Sequence, residues 1–194
     1  MRQTILRRLR ADDGFTLSEL IMYCLLLSIV LSVAAGIMLS GTIAEKTVRV
    51  VVGATTESQL TADNIETGIR NSSGYTLTVP ALGGQLVRAR VAQGTTETAW
   101  VCAAWYYSAT VQNGSLWYKA STTETAVDTP ATAASLSTWT LLANDVRPSS
   151  GADVFSTTVN QLLFSFKTIA GNDPPASVTS SAASRTETWK VGPC

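Results

Sequence analysis

From Leu20 to Leu39 the chain carries twenty consecutive uncharged residues, almost all of them apolar. At 1.5 Å per residue, a helix over this run matches the ~30 Å hydrocarbon core of a bilayer. Beyond Thr42 the pattern turns periodic. Val48, Val51 and Val52, then Leu60, Ile65 and Ile69, with Ala54 and Ala62 between them, make an apolar stripe at helical spacing. Glu45 with Arg49 and Glu66 with Arg70 stand four residues apart, in the favourable order for ion pairing. Together these predict one long helix over about 17–71. Gly53 and the threonines beside it weaken its middle, so a break is expected near 53–56. Asn71-Ser72-Ser73-Gly74 ends it.

After Gly74 the period shortens to two. Gln85–Ala92 and Ala99–Thr110 are rich in Val, Trp and Tyr and read as strands. In the second, Trp100, Cys102, Ala104 and Tyr106 share one face, and Val101, Ala103, Trp105 and Tyr107 the other. Neither face is polar, so this strand is expected in the middle of a sheet with both sides covered. Gln112-Asn113-Gly114-Ser115 is a hairpin signal leading into a strand at Leu116–Ala120. Trp139–Val146 and Gln161–Ile169 follow as strands, the latter with Leu162, Phe164 and Phe166 on the face expected to meet the helix. Residues 121–137 read as an exposed, flexible loop, Gly171–Pro175 as a turn, and 177–191 as one or two weaker strands ending at Trp189. The whole predicts one helix against a largely antiparallel sheet, an α+β fold.

Composition narrows the chemistry. The 194 residues contain no histidine, which removes Ser-His and Cys-His nucleophile pairs and most zinc sites; no enzyme is expected, nor a cofactor. Formal net charge is zero, with 14 basic and 14 acidic residues. Four of the basic ones, Arg2, Arg7, Arg8 and Arg10, crowd into the first fourteen residues together with Asp12 and Asp13. That leader places the N-terminus in the cytoplasm by the positive-inside rule and exports everything after Gly41. What remains is slightly acidic and shows no strong nucleic-acid signature.

Gly14-Phe15-Thr16-Leu17-Ser18-Glu19, behind an Arg-rich leader and ahead of the uncharged run, resembles the type IV prepilin signal shared by type IV pilins and type II secretion pseudopilins. The resemblance implies cleavage after Gly14 by a prepilin peptidase and N-methylation of the new N-terminus, Phe15. Glu19 then becomes the fifth mature residue, whose carboxylate attracts the N-terminal amine of a neighbouring subunit during assembly. The bland alternative for Glu19 is a carboxylate at the membrane interface reaching toward headgroups. The leader is thus 1–14, the transmembrane and assembly helix 15–41, the exported amphipathic half of the helix 42–74, and the β-rich exported domain 75–194.

The later order of elements narrows the resemblance. Ile69-Arg70-Asn71-Ser72-Ser73-Gly74-Tyr75, the hairpin bearing Leu116-Trp117-Tyr118, then Trp139-Thr140-Leu141-Leu142 and Asn160–Phe166 are similar to W-type minor pilins and J-type pseudopilins. A minor pilin, with the type IV pilin fold, is therefore expected, packed by its helix into a pilus or its priming complex. The alternatives are a J-like pseudopilin and a tip-located adhesin or DNA-binding subunit. The implied partners are the prepilin peptidase, the major pilin and other minor pilins, and the platform protein in the membrane. The implied location is the cytoplasmic membrane, crossed once, and then an extracellular filament.

Several residues carry two readings. Cys102 and Cys194 fall in the exported part and are expected to form a disulfide, closing a loop worth roughly 4–5 kcal/mol in the chain-entropy model; the alternative leaves both as thiols. Cys24 lies in the apolar run as a small apolar residue. Gly36 permits either a bend or close helix packing. Trp100, Trp105, Tyr106, Tyr107, Trp117 and Tyr118 fit strand packing better than a stacking surface. Arg88 and Arg90 with Lys119 make either a small basic patch or a solvated face. Asp63, Glu66, Asp145, Asp153 and Asp173 match no calcium-loop spacing.

Overall fold

The structure, a computed structural model, describes residues 16–80, 83–93, 99–151, 153–159, 161–171, 173–185 and 194. It shows one long helix and antiparallel β-structure, an α+β arrangement. The chain divides into two compact units, Met1–Lys46 and Thr47–Cys194. Helix α1 runs from Leu17 to Arg70 without the expected break. Gly53 sits inside it, with nothing within 4 Å of where a Cβ would stand.

Among the described residues of the second unit nine strands follow: β1 Ser72–Thr78, β2 Gln85–Gln93, β3 Ala99–Ser108, β4 Ser115–Ala120, β5 Thr140–Asn144, β6 Val146–Pro148, β7 Phe155–Thr157, β8 Leu162–Ala170 and β9 Asp173–Ala182. The first five form an antiparallel meander in chain order, with β3 in the middle. The rest gather on β8: β9 pairs along one edge of it, and β6 and β7 share the other. Residues Val111–Asn113 carry the β3–β4 hairpin, Gln112 and Asn113 adopting positive φ and Gly114 a φ of 102°. A Cβ at Gly114 would stand 1.9 Å from the Val146 carbonyl oxygen, so only glycine fits there.

Besides the expected break in α1, the sequence pattern missed or misjudged five features. The expected strand Trp139–Val146 is two, because Asp145 takes a φ of 49° and sends the chain from the first sheet to the second. Strand β1 starts directly after the helix, within the Asn-Ser-Ser-Gly segment read as a terminator. Strand β9 begins at Asp173 rather than 177, pairing Ala170 with Asp173 across a tight turn; Trp189 lies outside the described residues. The fourth is strand β7, where no strand was expected, and the fifth is segment 121–137, which is laid on the sheet rather than exposed throughout. Val127, Pro130 and Leu136 are buried, and a 3-10 helix, Ala133–Thr138, starts with a capping box at Thr132 and Ser135.

Two apolar layers result, one on each side of the meander. Ile65 and Ile69 of α1 meet Val87, Ala89, Val101, Ala103 and Trp105 on the inner face, and Leu162, Phe164 and Phe166 of β8 complete this core. Burying each isoleucine contributes roughly 1.5–3 kcal/mol. On the outer face Leu86, Cys102, Ala104 and Tyr106 lie under Val127, Leu136 and Trp139. The two faces read from β3 are thus both covered.

Polar contacts tie the helix down within this core. The Ser58 hydroxyl donates to the Ala54 carbonyl, so Thr168 donates to Ser58 across 2.7 Å. Thr61 donates to the Leu142 carbonyl, and Ser180 to Glu66, which also pairs with Arg70 at 3.0 Å.

Candidate functional site

The N-terminal unit presents an exposed apolar surface. From Leu20 to Leu39 its large side chains are all more than half exposed, and α1 is long and apolar enough to be a candidate membrane span. The serine hydroxyls between Leu20 and Ser40 are satisfied within the helix. Ser28 donates to the Cys24 carbonyl, Ser32 to Ser28 and Ser40 to Gly36, at 2.6–3.0 Å. In lipid no water would serve these groups, so bonding back to the preceding turn removes their cost. Cys24 is an exposed free thiol. An added Cβ at Gly36 would touch nothing.

Glu19 lies in the first turn of α1. Its backbone N–H donates to the Thr16 carbonyl at 3.0 Å and faces the Thr16 hydroxyl at 3.3 Å, so Thr16 serves as the cap. The carboxylate accepts a hydrogen bond from the Tyr23 hydroxyl at 3.2 Å, one turn on. A negative charge in this turn is favoured by the helix dipole. It retains lone pairs for a further donor, and an ammonium would supply the strongest one. Gly14 and Phe15, the residues assigned to processing, lie outside the described residues.

The second unit carries the covalent feature. Cys102 and Cys194 are joined by a disulfide, their Cα atoms 5.5 Å apart across 92 residues of sequence. Cys102 is wholly buried on the central strand, so the bond fastens Cys194 to the middle of the sheet.

Arg88, Arg90 and Lys119 do not form an open basic patch. Arg88 donates through Nε to the Val127 carbonyl at 2.9 Å and through Nη2 to the Thr129 hydroxyl. Arg90 pairs with Glu124 at 2.7 Å and stacks 4.2 Å over the Trp100 ring. Lys119 donates to the Thr138 hydroxyl at 3.0 Å. All three hold segment 121–138 against the outer face, where cationic heads bond the strap while their stems cover apolar surface.

Of the acidic residues considered for calcium, Glu66 and Asp153 are engaged by Arg70 and Gln85, and Asp145 occupies the turn between the sheets. No group of three His, Cys, Asp or Glu among the described residues could hold a metal ion. Tyr75, Tyr106, Tyr107 and Tyr118 have phenols pushed above their ordinary value by burial; a hydrogen bond involving Ser108 partly offsets this at Tyr106, and the nearby Arg147 charge does so at Tyr107.

Sequence reasoning passed over three residues that set the geometry of this unit. Gln85, only 6% exposed, bonds β7 through both ends of its amide. Asn64 accepts from the Trp105 indole at 2.8 Å, and Gly68 lies so close to that indole that a Cβ would fall 2.3 Å from it. The spacing 64/68 on the stripe beside Ile65 and Ile69 was the available signal. It becomes meaningful only once a large ring is known to lie opposite.

Comparison of the chain with protein-family models, with curated proteins and with solved structures found no match in any of the three.

Proposed function

We propose that the chain is a prepilin-type subunit, a minor pilin that is cut after Gly14, methylated at Phe15 and packed by α1 into a type IV pilus or its priming complex. The observation that supports this most is the constellation at the N-terminus. An Arg-rich leader ends in Gly14-Phe15, and a single acid, Glu19, stands four residues after Phe15 at the mouth of a helix otherwise free of charge to Leu39. A leader removed for any other purpose gives no reason for a carboxylate at that position. An ammonium and a carboxylate brought together where water is scarce attract strongly and satisfy each other. The internally bonded serines and the exposed apolar surface suit a helix that exchanges lipid for neighbouring helices. The disulfide suits a domain held outside the cytoplasm, where such bonds persist.

In this reading the prepilin waits in the cytoplasmic membrane with its N-terminus inside. The peptidase cleaves it, and the platform protein delivers it to the major pilin and other minor pilins. Its exported sheet then faces the environment.

The test is Glu19→Ala in cells, read by cleavage of the leader and by recovery in sheared filaments. The expected result is normal cleavage with recovery reduced by about tenfold or more, the scale of losing one charge-assisted pair. Thr16→Val, which removes only the cap, leaves recovery near normal. Undiminished recovery of the Glu19→Ala protein would remove the assembly role.

A further inference from the structure

Within the second unit a groove of about 500 Å³ runs between α1 and the inner face of the meander. It is lined by α1 between Leu60 and Asn71, by the end of β2, and by Ala103, Trp105 and Tyr118 of β3 and β4, and its volume lies in the range of small-molecule sites. Its floor is apolar and aromatic. Trp105 lies 1% exposed at the bottom, with the half-buried Tyr118 ring tilted 42° against it at 5.6 Å.

Its walls set polar side chains beside the apolar Leu60, Val91 and Ala92. Asp63 and Thr67 on the helix, Asn71 at its end and Gln93 at the end of β2 line the groove. Their side chains make no hydrogen bond to any other described residue. Asn64 is the best-placed donor. The indole N–H of Trp105 can only donate, so the amide oxygen of Asn64 must face it, at 2.8 Å. The NH₂ end of Asn64 is thereby left to donate elsewhere, its orientation set by a buried ring.

We infer that this groove binds a neutral saccharide. A sugar ring offers an apolar C–H face for Tyr118 and hydroxyls that both donate and accept. The groove answers with a carboxylate acceptor at Asp63, a fixed amide donor at Asn64 and further amides at Asn71 and Gln93. Among the described residues no lysine or arginine lines it, and Asp63 is the only charge. Nucleic acid, phosphorylated ligands and acidic sugars are therefore disfavoured. An extended peptide would need a free strand edge to pair with, whereas the groove is bounded by a helix and a sheet face. The inference does not rest on the assembly reading, since it concerns this unit alone.

The experiment uses the full chain in lipid nanodiscs, which avoids sugar-headed detergents. The probes are maltotriose, cellotriose and the trimer of N-acetylglucosamine, with an oligothymidylate as the anionic comparison. Binding is followed by calorimetry and by tryptophan fluorescence, to which Trp105 contributes. Saturable binding of at least one trisaccharide is expected, weakened about tenfold or more in Asp63→Ala and in Tyr118→Leu, and unchanged in Arg88→Ala on the opposite face. Asp63 is exposed, so its replacement leaves folding intact, and a failure of Tyr118→Leu to fold does not cloud the result. The inference is overturned if no trisaccharide binds, or if Asp63→Ala binds as well as the parent. It is equally overturned if the oligothymidylate is preferred, or if Asp63→Ala abolishes self-association of the chain instead.

Discussion

Gln85 makes four hydrogen bonds with one side chain. Its oxygen accepts from the backbone N–H groups of Val154 and Phe155, each at 2.8 Å, and its nitrogen donates to the Phe155 carbonyl and to Asp153. It thereby does for β2 and β7 what a strand ladder would do. Gln85→Leu leaves two N–H groups and a carbonyl without partners in a buried site, at a cost of about 2–4 kcal/mol, which a shift in denaturant midpoint would measure. Gly68 gives a second prediction, with a paired control. A glycine inside a helix normally gains about 1 kcal/mol on becoming alanine, and Gly53→Ala, with open space around it, stabilises accordingly. Gly68→Ala drives a methyl into the Trp105 ring and destabilises by about 1–3 kcal/mol instead. Neither residue announced itself in the sequence. A glutamine opening a strand looks solvated, and a helical glycine looks weak, until the groups opposite them are known.

At the scale of elements, periodicity carried most of the fold. The stripe containing Ile65 and Ile69 and the alternation of Leu162, Phe164 and Phe166 require burial at those positions whatever the tertiary partner. The two-faced apolar pattern of β3 likewise placed it centrally. What escaped were elements defined by neighbours rather than by their own residues. Strand β7 is three residues held by Gln85 and β8, and the corner at Asp145 depends on a backbone angle that a Leu-Leu-Ala-Asn-Asp-Val run does not advertise. Segment 121–138 misled because it is rich in Ser, Thr and Ala, while its anchors, Val127 and Leu136, are sparse and its cationic clamps lie on other strands. Its attachment is testable. Arg88→Ala removes two hydrogen bonds to the strap, and limited proteolysis should then cut within 121–137 several times faster while the strand core persists. Cys194→Ser frees the C-terminus and lowers stability by about 2–5 kcal/mol.

Taken whole, the molecule has an apolar helix and a domain that buries Tyr75, Trp105, Tyr106, Tyr107, Trp139, Phe155, Phe164 and Phe166, in a chain free of histidine. Its pH response follows from the tyrosines. Below about 10 the phenols are neutral in the folded and unfolded chain alike, so they add no dependence. Above that value the unfolded chain releases phenolic protons that Tyr75, Tyr106, Tyr107 and Tyr118 retain in the fold. Stability is therefore lost as pH rises from about 10 through the raised values. Tyrosinate absorbance recorded beside the denaturant midpoint checks this, and a midpoint unchanged across that window would contradict it. The candidate site divides in the same manner as the fold. The N-terminal constellation is written in one short stretch, one leader, one acid and one apolar run. The groove beneath Tyr118 is not, because helix and sheet assemble it from residues scattered between Leu60 and Tyr118. The account turns on the N-terminus, and the decisive measurement is the mass of the N-terminal peptide from sheared filaments and, separately, from membranes. The account predicts a peptide beginning at methylated Phe15 in the filament fraction. An intact Met1 leader in both fractions would contradict it.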